Sequence, residues 1–435
     1  MERAAMKYLD NWMKNKNRKP IIIRGARQVG KTWLMKEFGK RNYKQVAYIN
    51  FESSKLLGNL FEEDYDTNRI ISAIQIETGL HIDSENTLII LDEIQEAEGG
   101  ITALKYFYED APQYHIIAAG SLLGVALHKN TSFPVGKIDF LDLFPLSFSE
   151  FLNAVEQSQL LEVLNDKKWN LVKSFKSRFI QLLKKYYYTG GMPEAVLSFA
   201  GSGDYNEVRQ IQNRILMAYE QDFSKHAPAD IVPRIRMLWS SIPSQLAKEN
   251  RKFIYSVIKK GSRAKDYELA LQWLIDCGLA YKVTRISKPG IPLKAYEDIS
   301  AFKLYTVDTG LMAAMGNINA KTLLEGNVIF EEFKGALTEQ YVLQQMKTLS
   351  GVPVHYWSSP QSSGELDFII QCGDNIIPLE VKAEENLQAK SLKSFYQKYP
   401  DTLPVRTSMS DFRKKDWMVN LPLYAVHLLP EIMGN

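Results

Sequence analysis

Three sets of residues in this chain have the types and spacing to do chemistry. Gly25-Ala26-Arg27-Gln28-Val29-Gly30-Lys31-Thr32 satisfies G-x-x-x-x-G-K-[ST] at every position. Such a loop cradles phosphate: its glycines allow close backbone approach, and its amides and the following helix N-terminus favour negative charge. Lys31 would reach the β- and γ-phosphates, and the Thr32 hydroxyl would ligate Mg²⁺. The expected nucleotide-binding run is therefore Gly25 through Trp33, with ATP and Mg²⁺ as its ligands. The second set is Asp92-Glu93, directly after Leu88-Ile89-Ile90-Leu91. Asp92 would hold Mg²⁺ through water opposite Thr32, and Glu93 would orient or deprotonate the attacking water, which makes the site hydrolytic. The third set is Glu339, Asp367 and Glu380-x-Lys382. Asp367 and Glu380 can hold one or two Mg²⁺ or Mn²⁺ through oxygen, and Glu339 could complete the shell. Lys382, two along a strand from Glu380, projects to the same side and can orient water or neutralise a scissile phosphate.

These side chains need elements to position them. Ile21-Ile22-Ile23 reads as a strand buried on both faces, and Trp33 to Phe38 as the start of an amphipathic helix. Val46 to Phe51, Thr87 to Glu93 and Tyr114 to Ser121 read as further strands, the last ending in the small polar Ser121. Met1 to Asn17 reads as a solvated helix whose Leu9 and Trp12 either pack in the core or lie beside an adenine. Leu141 to Leu152 reads as a packing strand and turn, and Asn153 to Phe199 as mostly helical. Gly190-Gly191 and Pro193 interrupt that run as either a hinge or a turn. Ile211 to Asp222 and Ile235 to Leu246 continue helical.

Phe253 to Ile286 is similar to a winged helix-turn-helix. Ser262 is its expected N-cap, and Tyr267, Leu271, Leu274 and Ile275 its inner face. Arg251, Lys252, Lys259, Lys260, Arg263 and Lys265 cluster there, either as a DNA-backbone contact or as the solvated face of a packing module. Helix Phe330 to Met346 carries Glu339. Strands at His355–Trp357, Glu365–Ile370 and Ile376–Lys382 and a helix at Leu387–Tyr399 follow.

The bulk numbers exclude less than the motifs include. The chain has 435 residues and a formal charge of +3, so no global field argues for nucleic acid. Cys277 and Cys372 are far apart and read as buried reduced thiols. No apolar run approaches the ~18 residues of a membrane span, and the charged opening segment does not read as a signal peptide. A cytoplasmic protein with no membrane partner is the expectation.

GARQVGKT, LIILDEIQEA, IIAAGSLLGV, LDLFPLSFSEFL and Gly190-Gly191-Met192-Pro193-Glu194-Ala195, in that order, resemble a prokaryotic family of AAA-type ATPases with a C-terminal domain of unknown function. The resemblance implies an α/β fold: a P-loop NTPase with a parallel sheet, a helical lid, a winged helix and a further α/β domain. It makes Ser121 a γ-phosphate sensor on a strand inserted between the two nucleotide-site strands; the alternative is a hydroxyl that caps the next turn. Members commonly carry Gly-Arg where this chain has Gly136-Lys137. An arginine acting there in trans would imply a homo-oligomer, and Lys137 keeps its charge without the planar fork. Glu339, Asp367, Glu380 and Lys382, on helix, strand and strand, resemble the PD-(D/E)XK nuclease core, a restriction-endonuclease-like fold. The expected division is an ATPase domain at 1–152, a lid at 153–228, a winged helix at 229–298 and a nuclease-like domain at 299–435. The expected function is a Mg²⁺-dependent ATPase acting on or regulated by DNA. The alternative is a nucleotide switch whose C-terminal domains bind DNA or protein without cleavage.

Overall fold

The computed structural model describes residues 2–54, 57–121, 136–248, 252–325, 331–349, 352–359, 364–385 and 388–434. Arg251 of the basic cluster, the LLGV that follows Ser121, and the expected helix starts at Phe330 and Leu387 lie outside them. Two compact units share the chain: Glu2–Phe144 with Asp276–Gly278, and Pro145–Ile275 with Leu279–Asn435. Among the described residues, no helix is long and apolar enough to cross a membrane.

The first unit is built on a five-stranded parallel sheet. Its strands are β1 (Ile21–Arg24), β2 (Gln45–Asn50), β3 (Thr87–Asp92), β4 (His115–Gly120) and β5 (Asp139–Asp142), in the order β2-β3-β4-β1-β5. The continuous apolar runs place β1, β3 and β4 centrally, because only a strand covered on both faces can bury consecutive side chains. β4 lies between β3 and β1, pairing Ala119 with both Asp92 and Ile23. The ends of the two motif-bearing strands are thereby held one strand apart, with Ser121 following the strand between them. Trp12 is buried edge-on to Phe38 and His115, with its Nε1 donating to the Lys19 carbonyl at 2.7 Å. That is core packing, as it is for the fully buried Leu9.

The second unit joins a helical run to an eight-stranded mixed sheet. The expected strand and turn at 141–152 takes another form: β5 ends at Asp142, and Phe148–Ala154 is a helix. Ser147 and Glu150 form a reciprocal capping box there, a local side-chain arrangement that outweighs the β-propensity of the phenylalanines. Helices follow at Lys176–Thr189, Pro193–Ser202, Tyr205–His226 and Val232–Leu246. Tyr255–Ile258 and Ala264–Asp276 come next, with Tyr267, Leu271 and Leu274 buried as expected. Ser262 is not the N-cap. Its hydroxyl donates to the Tyr267 hydroxyl, and the Asp266 carboxylate accepts from the Arg263 amide at 3.2 Å.

The sheet comprises β6 (Ala280–Ile286), β7 (Glu297–Thr306), β8 (Val354–Ser358), β9 (Glu365–Cys372), β10 (Asn375–Val381), β11 (Val405–Ser408), β12 (Arg413–Lys414) and β13 (Val419–Pro422). Its order is β12-β13-β11-β10-β9-β8-β6-β7. Three C-terminal strands were expected. β6, the end of the expected winged helix-turn-helix, is continuous with them through β8, and the 298/299 boundary falls inside β7. Cys277 is buried but Cys372 only half-buried, and both are free thiols.

A buried polar network knits this unit. Asp308 accepts from the Gly191 amide at 2.6 Å, the Leu311 amide at 3.0 Å and Gln344 Nε2 at 3.0 Å. Burial raises its carboxyl above the ordinary range despite those donors. Gln345 accepts from the Phe148 amide at 2.7 Å. A Cβ on Gly191 would lie 2.2 Å from the Leu146 carbonyl oxygen, so this glycine is required by close approach. Gly190-Gly191 is thus a tightly packed turn between helices.

Candidate functional site

Gly30 ends the loop in the left-handed region, with φ 94°, and caps helix Lys31–Asn42. Gly25 packs so closely on β5's continuation that a Cβ would sit 2.1 Å from the Leu143 carbonyl oxygen. Ala26 and Val29 are buried beneath the loop, and Gln28 adopts φ 68°. Arg27 approaches Glu52 at 3.8 Å, and Trp33 is partly exposed just inside the helix. The Lys31 ammonium folds back onto the Gly25 and Ala26 carbonyls, 2.9 Å from each. Those contacts occupy its donors where a β- or γ-phosphate would otherwise take them.

Burial lowers Lys31 to about 8, while Glu93 and Asp92 pull it back up. Phosphate binding needs the ammonium form. Nucleotide affinity is therefore expected to fall about tenfold between pH 7 and pH 9, with proton uptake on binding at the higher pH. Titration calorimetry in two buffers of different ionisation enthalpy checks this. An affinity flat across that range would show that Lys31 stays charged throughout.

Thr32 and Asp92 meet across the loop mouth: Thr32 Oγ1 donates to Asp92 Oδ2 at 2.7 Å. Tyr48 OH donates to the same oxygen at 3.0 Å and accepts from Asn50 Nδ2 at 3.3 Å. Burial pushes the Tyr48 hydroxyl up to about 12, so it remains a donor at neutral pH. A hydroxyl and a carboxylate side by side at a phosphate loop match the few hard oxygens Mg²⁺ takes from a protein. Glu93 follows in the left-handed region, φ 51°, a conformation that costs a non-glycine residue energy and concentrates at functional sites. Its Oε2 accepts from Gln95 Nε2 at 2.6 Å, Ser121 Oγ at 3.1 Å and the Ser121 amide at 3.2 Å. Ser121 thus touches Glu93, and the turn it was alternatively expected to cap lies outside the described residues. Lys137 pairs with Glu109 at 3.0 Å.

Sequence reasoning missed Tyr48, Asn50 and Gln95. A signal existed for the first two: alternation puts Tyr48 and Asn50 on one side of a parallel strand near its C-terminal end, where ligands bind in open α/β sheets.

The C-terminal constellation is assembled in part. Leu379 pairs with Phe368 in the antiparallel β9–β10 ladder, so the next position along each strand is Glu380 and Asp367. Asp367 Oδ2 accepts from the Val381 amide at 2.7 Å. Glu380 is 5% exposed, and burial raises its carboxyl, with Lys382 opposing and Asp367 adding to the rise. Lys382 Nζ lies 3.0 Å from Glu380 Oε1, whereas Glu380 Oε2 is buried with no hydrogen-bond partner among the described residues. That orphaned oxygen, beside a second carboxylate, suits a divalent cation. Glu339 sits elsewhere in its contacts: Tyr305 OH donates to it at 3.1 Å, and the buried Lys303 lies 3.8 Å away. Among the described residues, no three His, Cys, Asp or Glu side chains form a metal-holding group, so Glu339 does not complete a shell with Asp367 and Glu380.

Comparison with known proteins divides the chain into three matched segments. Residues 17–152 match the AAA domain, 180–322 a domain of unknown function, DUF8612, and 334–425 another, DUF4143. An uncharacterized protein of Methanocaldococcus jannaschii, MJ1637, is 26% identical over 236 residues. The match takes in 48% of this chain and 45% of that protein, so the chain spans less than half of its relative's length. The Walker-type ATPase PABY2304 of Pyrococcus abyssi is 15% identical, with 72% of this chain and 94% of that one covered and a TM-score of 0.44. The Aeropyrum pernix ORC1 protein, solved with DNA, is 13% identical over 72% of this chain and 92% of its own, with a TM-score of 0.29. At these scores neither likeness says what this chain binds. The glycine loop and the strand order of the first unit's sheet agree with the match of residues 17–152 to the AAA domain.

Proposed function

We propose that this protein is a Mg²⁺-dependent ATP hydrolase. The observation that carries the reading is the Thr32–Asp92 contact at the loop mouth, with Glu93 held beside it by Ser121. Lys31 exchanges two carbonyls for phosphate oxygens, and Thr32 and Asp92 supply the oxygens that hold the cation. Mg²⁺, when bound, neutralises charge developing between the β- and γ-phosphates. Glu93 leaves Ser121 and Gln95 to orient the attacking water and accept its proton, and Ser121, freed, donates to the γ-phosphate. Phosphate release from ATP by purified protein, with and without Mg²⁺, tests this. Absence of turnover with tight ATP binding would leave a nucleotide switch.

The second unit supports a nuclease-like reading. Its carrying observation is the buried Glu380 oxygen with no partner among the described residues, on the strand next to that of Asp367. These two residues would hold one cation, with Lys382 moving from Glu380 to a scissile phosphate. DNA is the proposed substrate, approached through the exposed Lys252, Lys259, Lys260, Arg263 and Lys265. Supporting the non-cleaving alternative is the Lys382–Glu380 pair itself, which occupies the lysine. Plasmid and oligonucleotide cleavage with Mg²⁺ or Mn²⁺, with and without ATP, separates the two. Asp367→Ala is expected to abolish metal-dependent cleavage and leave ATP turnover within about twofold, since none of the loop residues invoked for hydrolysis is altered. Cleavage that persists in Asp367→Ala would remove this site from the chemistry.

A further inference from the structure

Arg3 precedes the first helix, in a segment expected to be solvated, yet it is 3% exposed. Its guanidinium donates from Nη1 to the Val29 carbonyl at 3.0 Å and from Nη2 to the Phe144 carbonyl at 2.6 Å. Taking a guanidinium out of water is costly, and a fork of fixed geometry repays this only where acceptors are placed for it. Here they come from 26 and 141 residues further along the chain.

We infer that Arg3 is a positioning residue for the phosphate-binding loop. A trans peptide points its carbonyl and its N–H in opposite directions. Holding the Val29 carbonyl toward Arg3 therefore turns the Gly30 amide away from it. Gly30 is the N-cap of helix Lys31–Asn42, the place where amides gather around an anion. The other hand of Arg3 reaches Phe144, next to Leu143. Leu143 is fixed in turn: its amide donates to the Arg24 carbonyl at 2.8 Å, and its own carbonyl packs on Gly25. The loop is thus gripped at both ends from the same short stretch, Leu143-Phe144, once directly and once through Arg3. Phosphate is the ligand served, so the inference rests on the nucleotide reading of the loop.

The test uses the full chain as wild type, Arg3→Met, Arg3→Lys and Lys31→Ala, titrated with Mg·ADP and assayed with ATP. Arg3→Met is expected to weaken ADP about ten- to hundredfold. Lysine keeps the charge but cannot bridge two carbonyls with a planar fork, so Arg3→Lys should fall between. An amide that grips phosphate equally before and during reaction affects binding only. KM for ATP should rise with the ADP loss while kcat stays within about threefold. Hydrogen exchange at Gly30 in the nucleotide-free variants should quicken. Should the Met variant not fold, the Lys variant and its exchange rates decide alone. Wild-type ADP affinity and wild-type exchange in the Arg3 variants, with binding lost in Lys31→Ala, would overturn the role of Arg3 and leave the nucleotide site standing. A wild-type protein that binds no nucleotide would overturn both.

Discussion

Glu93→Gln is expected to bind ATP normally and turn it over about 10²–10⁴-fold more slowly than wild type. Glutamine keeps the size and the acceptor oxygen that Ser121 meets, but it cannot take a proton from water. Lys31→Ala is expected to bind no ATP at all. The ammonium folds onto the Gly25 and Ala26 carbonyls, where the phosphates are expected. The two variants therefore split affinity from chemistry. Equilibrium binding and single-turnover phosphate release on the same preparations measure both. Full hydrolysis by Glu93→Gln would mean another group positions the water. Retained affinity in Lys31→Ala would move the nucleotide elsewhere.

Asp308→Ala carries the largest expected effect on stability. The substitution strands the Gly191 and Leu311 amides and one N–H of Gln344, whose other contacts remain, in a dry interior. At about 1–3 kcal/mol for each unsatisfied group, the loss should reach at least about 3 kcal/mol. Denaturant unfolding followed by circular dichroism reads it as a lower midpoint. An unchanged midpoint would show that water replaces the carboxylate without cost. The same network bears on where the chain can be cut. On the sequence alone, a fragment ending near Ser300 keeps a helical lid and a winged helix. In the structure that end lies within β7 and discards Asp308, Gln344 and Gln345, which satisfy Gly191 and Phe148. Such a fragment is expected to be insoluble, and solubility on expression checks it.

The candidate nucleotide site was legible as a loop and strand end because its residues are contiguous. Eight consecutive residues specify the loop, and Asp92-Glu93 ends a run of buried residues that can only be a central strand. Local sequence determines such features, since backbone freedom at Gly25 and Gly30 and the reach of Lys31 depend on near neighbours. The pair Asp367 and Glu380 was also legible, since the turn between their strands is short and fixes the register. Glu339 was not. Which side chain a helix offers to a sheet depends on how the helix packs, and packing gave Glu339 to Tyr305 and Lys303. The same holds for β6. Its residues read as the end of a winged helix-turn-helix, but its neighbours in the folded sheet are β7 and β8, and only pairing across the chain decides that. Tyr48, Arg3 and Asp308 are the clearest cases. Each looks ordinary in its own stretch and takes its role from acceptors or donors far along the sequence: Asp92, Val29 with Phe144, and Gly191. A buried polar group must find its partner wherever folding puts one, and the tertiary structure alone brought these partners within reach.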